Sequence, residues 1–353
     1  MVGQPSQEMA AEQYRAPTDV RRADGTARWA FVTFLMLNDS YLPGALMVAY
    51  ALQKQGSPAD RLCLVTPEIT VDARQALGLL FDRVLEVDRV YVPHARRQER
   101  QDRPYWFTRV NVLRLGVDGD LGLAYDKVVV LDADLLPLSR YDHLFTLDTP
   151  AGILNESKSS VMEVDQDGRY VIPPDVERTG LWVWHRMYGA ICPHGHRIPA
   201  EITDRVKTDP ANMGLNGSLF VLAPSMEEFK DILIDVRRPD VSRLVGEQFE
   251  WPDMQYLTMR WSGKWTSIDV RYSGFSGYPV LSVLFGTHYA GFKPWSFKKT
   301  KAMARWARHD DFRLWFREYV AMTAAYPDLL RVKRLSGLLA QIQELGTDAR
   351  RPI

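Results

Sequence analysis

The sequence predicts an α/β fold, a single domain on a mixed, mostly parallel sheet flanked by helices. Three observations carry this. Apolar runs of strand length alternate with stretches of helical period from Trp29 onward, and that alternation indicates a parallel sheet. The 353 residues, against about 150 per domain, leave room for one large α/β domain with additions. The content, 46% hydrophobic and 25% charged, is that of a globular chain, which excludes a disordered, collagen-like or coiled-coil protein.

The elements follow in order. Residues 1–28 are rich in Gln, Glu, Arg and Ala without a period and read as a disordered tail. Residues 30–36 form a continuous apolar run, the first strand, which Asn38-Asp39-Ser40 interrupts. Residues 41–55 carry Leu42, Leu46, Ala49, Tyr50 and Leu52 at helical spacing, with Pro43 in the first turn and Gly56 at the end. A second strand at 62–65, a helix at 72–80 and a third strand at 84–87 come next, then a helix at 106–115. Lys127–Leu131 is a strand of four aliphatic residues after a lysine, and it runs straight into Asp132-Ala133-Asp134. Residues 156–212 are polar and turn-rich, with Pro173-Pro174, and read as a lid or acceptor-binding insertion. A strand at 219–222 precedes Ser225-Met226-Glu227-Glu228, a capping box that opens a helix. Residues 286–291 make a short strand and a turn. Residues 297–353 form a helical C-terminal extension, whose amphipathic part at 329–345 can dock on its own domain or on a second chain.

Composition narrows the function. Lys plus Arg is 44 and Asp plus Glu is 44, whereas a dedicated nucleic-acid binder carries a basic excess. Cys63 and Cys192 cannot make a disulfide scaffold; Cys63 lies in an apolar strand and reads as a buried thiol. No run reaches the ~20 apolar residues of a membrane span, and residues 1–28 lack the apolar segment of a secretory signal. The expected location is therefore cytoplasmic.

The chemistry concentrates at Asp132-Ala133-Asp134. In open α/β sheets ligands bind beyond the carboxyl ends of the strands. Two carboxylates there, two residues apart, can jointly hold one hard divalent cation such as Mg²⁺ or Mn²⁺; alone, such a pair can equally cap the next turn. A cation at this point serves a reaction that expels a diphosphate, because it neutralises charge growing on the leaving group. The residues themselves thus lean toward a nucleotide-diphosphate substrate.

Several segments together resemble glycosyltransferase family 8, the glycogenin-like retaining sugar transferases. Phe31-Val32-Thr33-Phe34 with Asn38-Asp39-Ser40-Tyr41-Leu42-Pro43-Gly44-Ala45 looks like the family's first strand and nucleotide-base loop. Trp106-Phe107-Thr108-Arg109-Val110-Asn111 looks like the helix ahead of its metal strand, and residues 128–135 like that strand. Leu215-Asn216-Gly217-Ser218-Leu219-Phe220-Val221-Leu222, Asp253-Met254-Gln255 and His288-Tyr289-Ala290-Gly291-Phe292-Lys293-Pro294-Trp295 look like its later motifs, in family order. The resemblance covers residues 29–296 and implies a nucleotide-diphospho-sugar transferase (GT-A-like) fold. It implies Mn²⁺, with Mg²⁺ the other candidate, on Asp132, Asp134 and His288. It implies Phe34, Leu35, Asn38 and Tyr41 around uridine, Arg109 and Ala133 among the donor-binding residues, and Gly291 and Lys293 near the diphosphate. Asn216 and Asp253 would face the sugar and, with Lys293, form the catalytic set, Asp253 being the candidate nucleophile. The implied activity moves a hexose, glucose or galactose, from a UDP-sugar to a carbohydrate, protein or small-molecule hydroxyl with retention of configuration, by a soluble enzyme or homodimer.

The chain also departs from the family pattern. Arg109 stands where Lys is common, Asn216-Gly217-Ser218 permutes Asn-Ser-Gly, and Met254 replaces the Gln that usually follows the aspartate. Gln255, one place later, points about 100° away on a helix. These departures support a catalytically inactive UDP-sugar-binding protein as an alternative. A nucleotidyltransferase would use a similar acidic pair. A self-glucosylating primer would need an acceptor tyrosine, and Tyr272 and Tyr278 lie in roughly the corresponding region, but transfer to a separate acceptor is expected. Cys192, His194 and His196 invite a zinc reading, but the spacing matches no common zinc pattern and a structural or acceptor-loop role is expected. Trp182 and Trp184 suit either an acceptor sugar or packing beneath the lid. The basic residues Lys298, Lys299, Lys301, Arg305 and Arg308 suit an anionic acceptor, a membrane or a solvated helix face.

Overall fold

A computed structural model describes residues 15–94, 102–154, 192–209, 212–275, 281 and 284–348. Strand β1 (Trp29–Leu35) is buried along its whole length. An uninterrupted apolar run is what a strand needs when helices cover both faces of its sheet. Helix α1 (Leu42–Lys54) follows, with Pro43 in its first turn. Then come β2 (Asp60–Val65), α2 (Val71–Leu77) and β3 (Arg83–Glu86). Thr70 caps α2 by accepting the Ala73 amide at 3.2 Å. The segment Arg103–Leu115, expected as a helix from residue 106, is a 3₁₀ helix that starts three residues earlier, with proline in its first turn. Strand β4 (Lys127–Leu131) matches its expected bounds.

The remaining elements complete two sheets. They are β5 (Leu135–Pro137), β6 (Ala151–Leu154), α3 (Ala200–Thr203), α4 (Arg205–Thr208), β7 (Leu215–Leu222), α5 (Met226–Asp235), α6 (Pro239–Arg243), α7 (Pro252–Arg260), β8 (Thr266–Ser267), β9 (Gly274–Phe275) and β10 (Gly286–His288). The larger sheet has the order β3-β2-β1-β4-β7-β6-β8. Pairs β1·β2, β1·β4, β2·β3 and β6·β8 are parallel, whereas β7 runs antiparallel to β4 and β6. This is the mixed, mostly parallel sheet of the expected GT-A-like fold. A second sheet, β5-β10-β9, lies beside it. The strand order turns back between β1 and β4, and such a switch point opens a crevice at the carboxyl ends of the strands.

Ser225 caps α5 by accepting the Glu228 amide at 3.2 Å. Only half of the expected capping box forms. The Glu228 carboxylate instead takes the Arg260 Nε and Trp261 Nε1 hydrogens, each at 2.6 Å.

The chain ends with α8 (Thr300–Trp306), α9 (Asp310–Ala325), a 3₁₀ turn (Pro327–Arg331) and α10 (Lys333–Asp348). Leu335, Leu338, Ile342 and Leu345 of α10 join one buried cluster with Phe312 and Trp315 of α9 and Leu46 of α1. The Tyr319 hydroxyl donates to the Leu335 carbonyl at 2.9 Å. The amphipathic face therefore docks on its own domain.

The expected tail needs correction over residues 15–28. Val20 and Ala27 are buried, Arg21 bridges Ala27, and Arg22 and Arg28 pair with Asp126 at 2.6 and 2.9 Å. Its polar composition hid two apolar anchors and a set of complementary charges. Of the expected insertion at 156–212, only residues 192–209 and 212 fall within the described residues, so Pro173, Pro174, Trp182 and Trp184 lie outside them, as does Tyr278.

Leu335→Ala removes a fully buried anchor of α10 and is expected to cost about 2–4 kcal/mol. Urea unfolding of the full chain checks this; an unchanged midpoint would mean that α10 adds nothing to the core.

Candidate active site

The cleft sits at the switch point. It has a volume of about 270 Å³ and is lined from both sides of the β1/β4 junction, close to the lower end of the usual range for small-molecule sites. From the β1 side come Phe34, Met36, Leu37, Asn38, Ser40 and Tyr41; from the β4 side come Asp132, Ala133 and Asp134. Leu37 holds a left-handed backbone (φ 66), uncommon for a branched residue. Its amide donates to Thr66 Oγ1 at 2.8 Å, which ties the turn down. Asn38 Oδ1 accepts the Ser40 amide at 2.9 Å and closes the next turn.

The loop after β4 is fixed by its backbone. The Asp132 amide donates to the Ser218 carbonyl at 2.9 Å, and the Tyr289 amide donates to the Asp134 carbonyl at 2.9 Å. Thus β7 and β10 both hold the acidic loop. Helix α1 reaches it because Gly44 has no side chain: a Cβ there would fall 2.1 Å from the Ala133 carbonyl oxygen.

Ligand atoms of Asp132, Asp134 and His288 lie within 4.8 Å of one another. His288 Nε2 is 3.3 Å from Asp134 Oδ1, and Lys293 Nζ pairs directly with Asp134 Oδ2. Burial by itself raises the Asp134 carboxyl, but Lys293 and His288 outweigh burial and hold it far below the ordinary carboxylate range. Burial pushes the Asp132 carboxyl up, with Arg109 opposing and Asp134 reinforcing. Two carboxylates and an imidazole form a donor set that fits Mn²⁺ or Mg²⁺.

Arg109 forms the back wall. Its Nη1 donates to the Gly217 carbonyl at 2.7 Å, Nη2 reaches Asp132 Oδ1 at 3.5 Å, and Nε lies 2.8 Å from Asp253 Oδ2. Burial works against its charge, yet Asp253, Asp132 and Asp134 raise its pKa further. The permuted Asn-Gly-Ser acquires a reason here. A Cβ on Gly217 would stand 2.5 Å from Arg109 Nη1 and 2.8 Å from Met254 Cγ.

The expected site residues fall into two groups. Phe34, Asn38, Tyr41, Arg109, Asp132, Ala133, Asp134, Asn216, His288 and Lys293 all line the cleft. Asn216 is buried and lines it with an amide nitrogen that has no hydrogen-bond partner. Leu35, Gly291 and Asp253 do not line it. Leu35 belongs to the core because β1 alternates its faces, and Gly291 is exposed on the turn beyond. Asp253 is fully buried behind Arg109, which leaves its carboxylate no path to a sugar carbon in this conformation.

Residues Met36, Leu37, Ser40, Asp102, Trp106, Trp251, Met254 and Ala290 line the cleft without having been expected as site residues. Trp106 and Trp251 stack at 5.6 Å. Ser40, Trp106, Met254 and Ala290 stood in the quoted motifs, but no sequence signal marks Met36, Leu37, Asp102 or Trp251. Gln255 turns away as its helical position requires: its Oε1 accepts the Trp251 amide at 2.7 Å and its Nε2 donates to the Asn212 carbonyl at 2.8 Å.

The zinc reading at Cys192, His194 and His196 gives way to a histidine pair. Among the described residues, the three-ligand group above is the one set of His, Cys and acidic side chains close enough to share a metal. His194 Nδ1 accepts the Asp269 amide at 3.0 Å, and its Nε2 lies 2.9 Å from His143 Nε2. Accepting at Nδ1 assigns the proton to His194 Nε2, which donates to His143. Tyr272, considered for self-glucosylation, is 2% exposed and packs against Tyr141 and His194.

Residues 32–171 match the family model described as Glycosyl transferase family 8. The uncharacterized protein R707 of Acanthamoeba polyphaga mimivirus is 26% identical over 279 residues, 76% of this chain and 83% of that protein. Galactinol synthase 6 of Arabidopsis thaliana is 24% identical over 217 residues, covering 61% of this chain. Glycogenin-1 of Caenorhabditis elegans is 36% identical over 121 residues, covering 33%. The matched parts span 57% and 26% of those last two proteins' own length. Fold, cleft and kinship together define a glycosyltransferase. Over residues 32–171 the chain is similar to glycosyltransferase family 8, and glycogenins are among its relatives. That match includes Arg109, Asp132 and Asp134. Asn216, Asp253, His288 and Lys293 lie beyond it.

Burial, then His143, lowers the His194 pKa from 6.5 to about 4. A depressed histidine pKa makes the unfolded chain bind the extra proton first, so stability falls as pH drops from about 6.5 toward 4, by at most ~1.4 kcal/mol per pH unit. Thermal melts across this window are expected to show a steeper decline for the parent chain than for His194→Asn. Identical slopes would remove the pair from the account.

Proposed function

We propose that this chain transfers a hexose, glucose or galactose, from a UDP-sugar to a hydroxyl acceptor with retention of configuration. The observation that carries the reading is the meeting of Asp132, Asp134 and His288 beside Lys293 in one cleft at the strand switch point. Asp132, Asp134 and His288 would hold Mn²⁺ or Mg²⁺, which when bound neutralises charge on a departing diphosphate. Lys293 adds a point charge for the leaving phosphate, and binding of the donor would take it over from Asp134. Tyr41, 5.8 Å from Lys293 Nζ, offers a ring face to the base beside Phe34 and Asn38. The unpartnered Asn216 amide offers a donor to a sugar hydroxyl. Asp253 fits a positioning role better than a nucleophilic one, since it is fully buried and fixes the Arg109 guanidinium. Same-face attack assisted by the leaving phosphate is therefore the route these residues favour over a covalent intermediate. Relatives named glycogenin and galactinol synthase support a hexose as the transferred group.

One observation favours a second reading. Met254 lines the cleft where the family has glutamine, and Gln255 faces the protein interior, which suits a chain that binds a UDP-sugar without consuming it.

UDP release from UDP-glucose, UDP-galactose, UDP-GlcNAc and UDP-xylose, with Mn²⁺ and with chelator, separates the two. Metal-dependent release from a hexose donor is expected, and Asp132→Asn should slow it by about 10²-fold or more. Tight UDP binding without release, in the presence of carbohydrate acceptors, would favour the binding protein. Absence of UDP binding would overturn both.

A further inference from the structure

Residues 298–308 hold five basic side chains and no acid, in a chain whose charges balance overall at 44 and 44. Lys298, Lys299, Lys301, Arg305 and Arg308 are all exposed, and none forms an ion pair among the described residues. Lys301, Arg305 and Arg308 recur at i, i+4 and i+7, so they share one face of α8 and the turn after it. The acids near this stretch are already engaged: Asp310 pairs with Arg313, and Glu344 accepts the Thr300 hydroxyl at 2.7 Å.

An aromatic group adjoins these cations. Phe292 is 52% exposed, and its ring lies 4.3 Å from that of Trp306, the residue after Arg305. Exposed phenylalanine beside half-buried tryptophan and segregated lysine and arginine is the composition of surfaces that sit in a bilayer's headgroup region. A soluble polyanion would draw on the charges alone and leave the phenyl ring in water. No helix among the described residues is long and apolar enough to cross a membrane, so such an association is peripheral.

We propose that Phe292 with Lys298, Lys299, Lys301, Arg305 and Arg308 forms a docking face for an anionic lipid bilayer. Phe292 is the chain neighbour of Lys293, which lines the cleft together with Ala290. A bilayer on this face therefore lies beside the cleft mouth and would present lipid-borne or surface-bound hydroxyl acceptors to it. The docking itself does not depend on the transferase reading, because it requires neither donor nor metal.

Co-sedimentation of the full chain with vesicles tests it. The vesicles are phosphatidylcholine alone or with about one third phosphatidylserine, at about 0.1 M and 0.5 M salt. Binding is expected to the anionic vesicles only and to weaken at the higher salt. Each cation near such a surface changes partition by about fivefold, so Lys301→Glu with Arg305→Glu should lower it at least tenfold. Phe292→Ser should lower it several-fold with an unchanged thermal melt. Three outcomes overturn the proposal: no binding to anionic vesicles, equal binding to neutral ones, or binding indifferent to these substitutions. Single-stranded RNA bound as tightly as the vesicles, with no effect of Phe292→Ser, would also overturn it and reassign the patch to polyanions in water.

Discussion

The structure depends on keeping like charges together in one small place. Asp132, Asp134 and Asp253 meet beneath the cleft, and Arg109 and Lys293 are the fixed cations among them. An unpaired buried charge costs several kcal/mol, so this cluster is tolerable only when each partner arrives. The partners come from distant parts of the chain: the 3₁₀ helix at 103–115, the end of β4, the start of α7 and the turn after β10. The sheet order is what brings them together. β7 runs antiparallel beside β4 and supplies the Gly217 and Ser218 carbonyls, while β10 pairs with β5 and brings His288 onto Asp134. Three carboxylates against two fixed cations leave an excess of negative charge, and that is the electrostatic character a divalent cation would answer.

Most of the fold was legible because strands buried on both faces leave unbroken apolar runs. Residues 30–36 and 127–131 are such runs, and both became central strands. Helix 42–54 was legible from its period and from Pro43. The direction of β7 was not legible, since an apolar strand carries no mark of its orientation. Neither was the 3₁₀ character of residues 103–115, which rests on local hydrogen-bond geometry rather than on periodicity. Residues 15–28 were misread because two small apolar anchors and three arginines with distant acidic partners leave no periodic trace.

The site was legible to the extent that its chemistry is local. Asp132 and Asp134 announce themselves by following a strand, and His288 and Lys293 follow from their motif. Leu35 lies outside the cleft because a strand whose alternate residues face the cleft also contains residues pointing the other way. Asp253 lies outside the cleft for a different reason: an aspartate in a recognised motif looks reactive, whereas here it is fully buried and its carboxylate pairs with the Arg109 guanidinium. Leu37 and Trp251 carry no signal, since a left-handed backbone and an aromatic stack emerge only when the chain closes. The departures from the family pattern are partly coupled. Glycine at 217 gives Arg109 its seat and gives the Met254 side chain its room, so residues that look like independent substitutions share one packing solution.

Gly44 gives that packing an asymmetry. The first turn of α1 approaches the Ala133 carbonyl and the Trp295 ring more closely than any methyl group allows, 2.1 and 2.4 Å from an added Cβ. Glycine is already the smallest residue, so every replacement at this position adds atoms and none removes them. A substitution here can therefore displace the loop that carries both acids in only one direction, outward from the helix. The dimensions of the cleft floor are set by a side chain that the sequence omits.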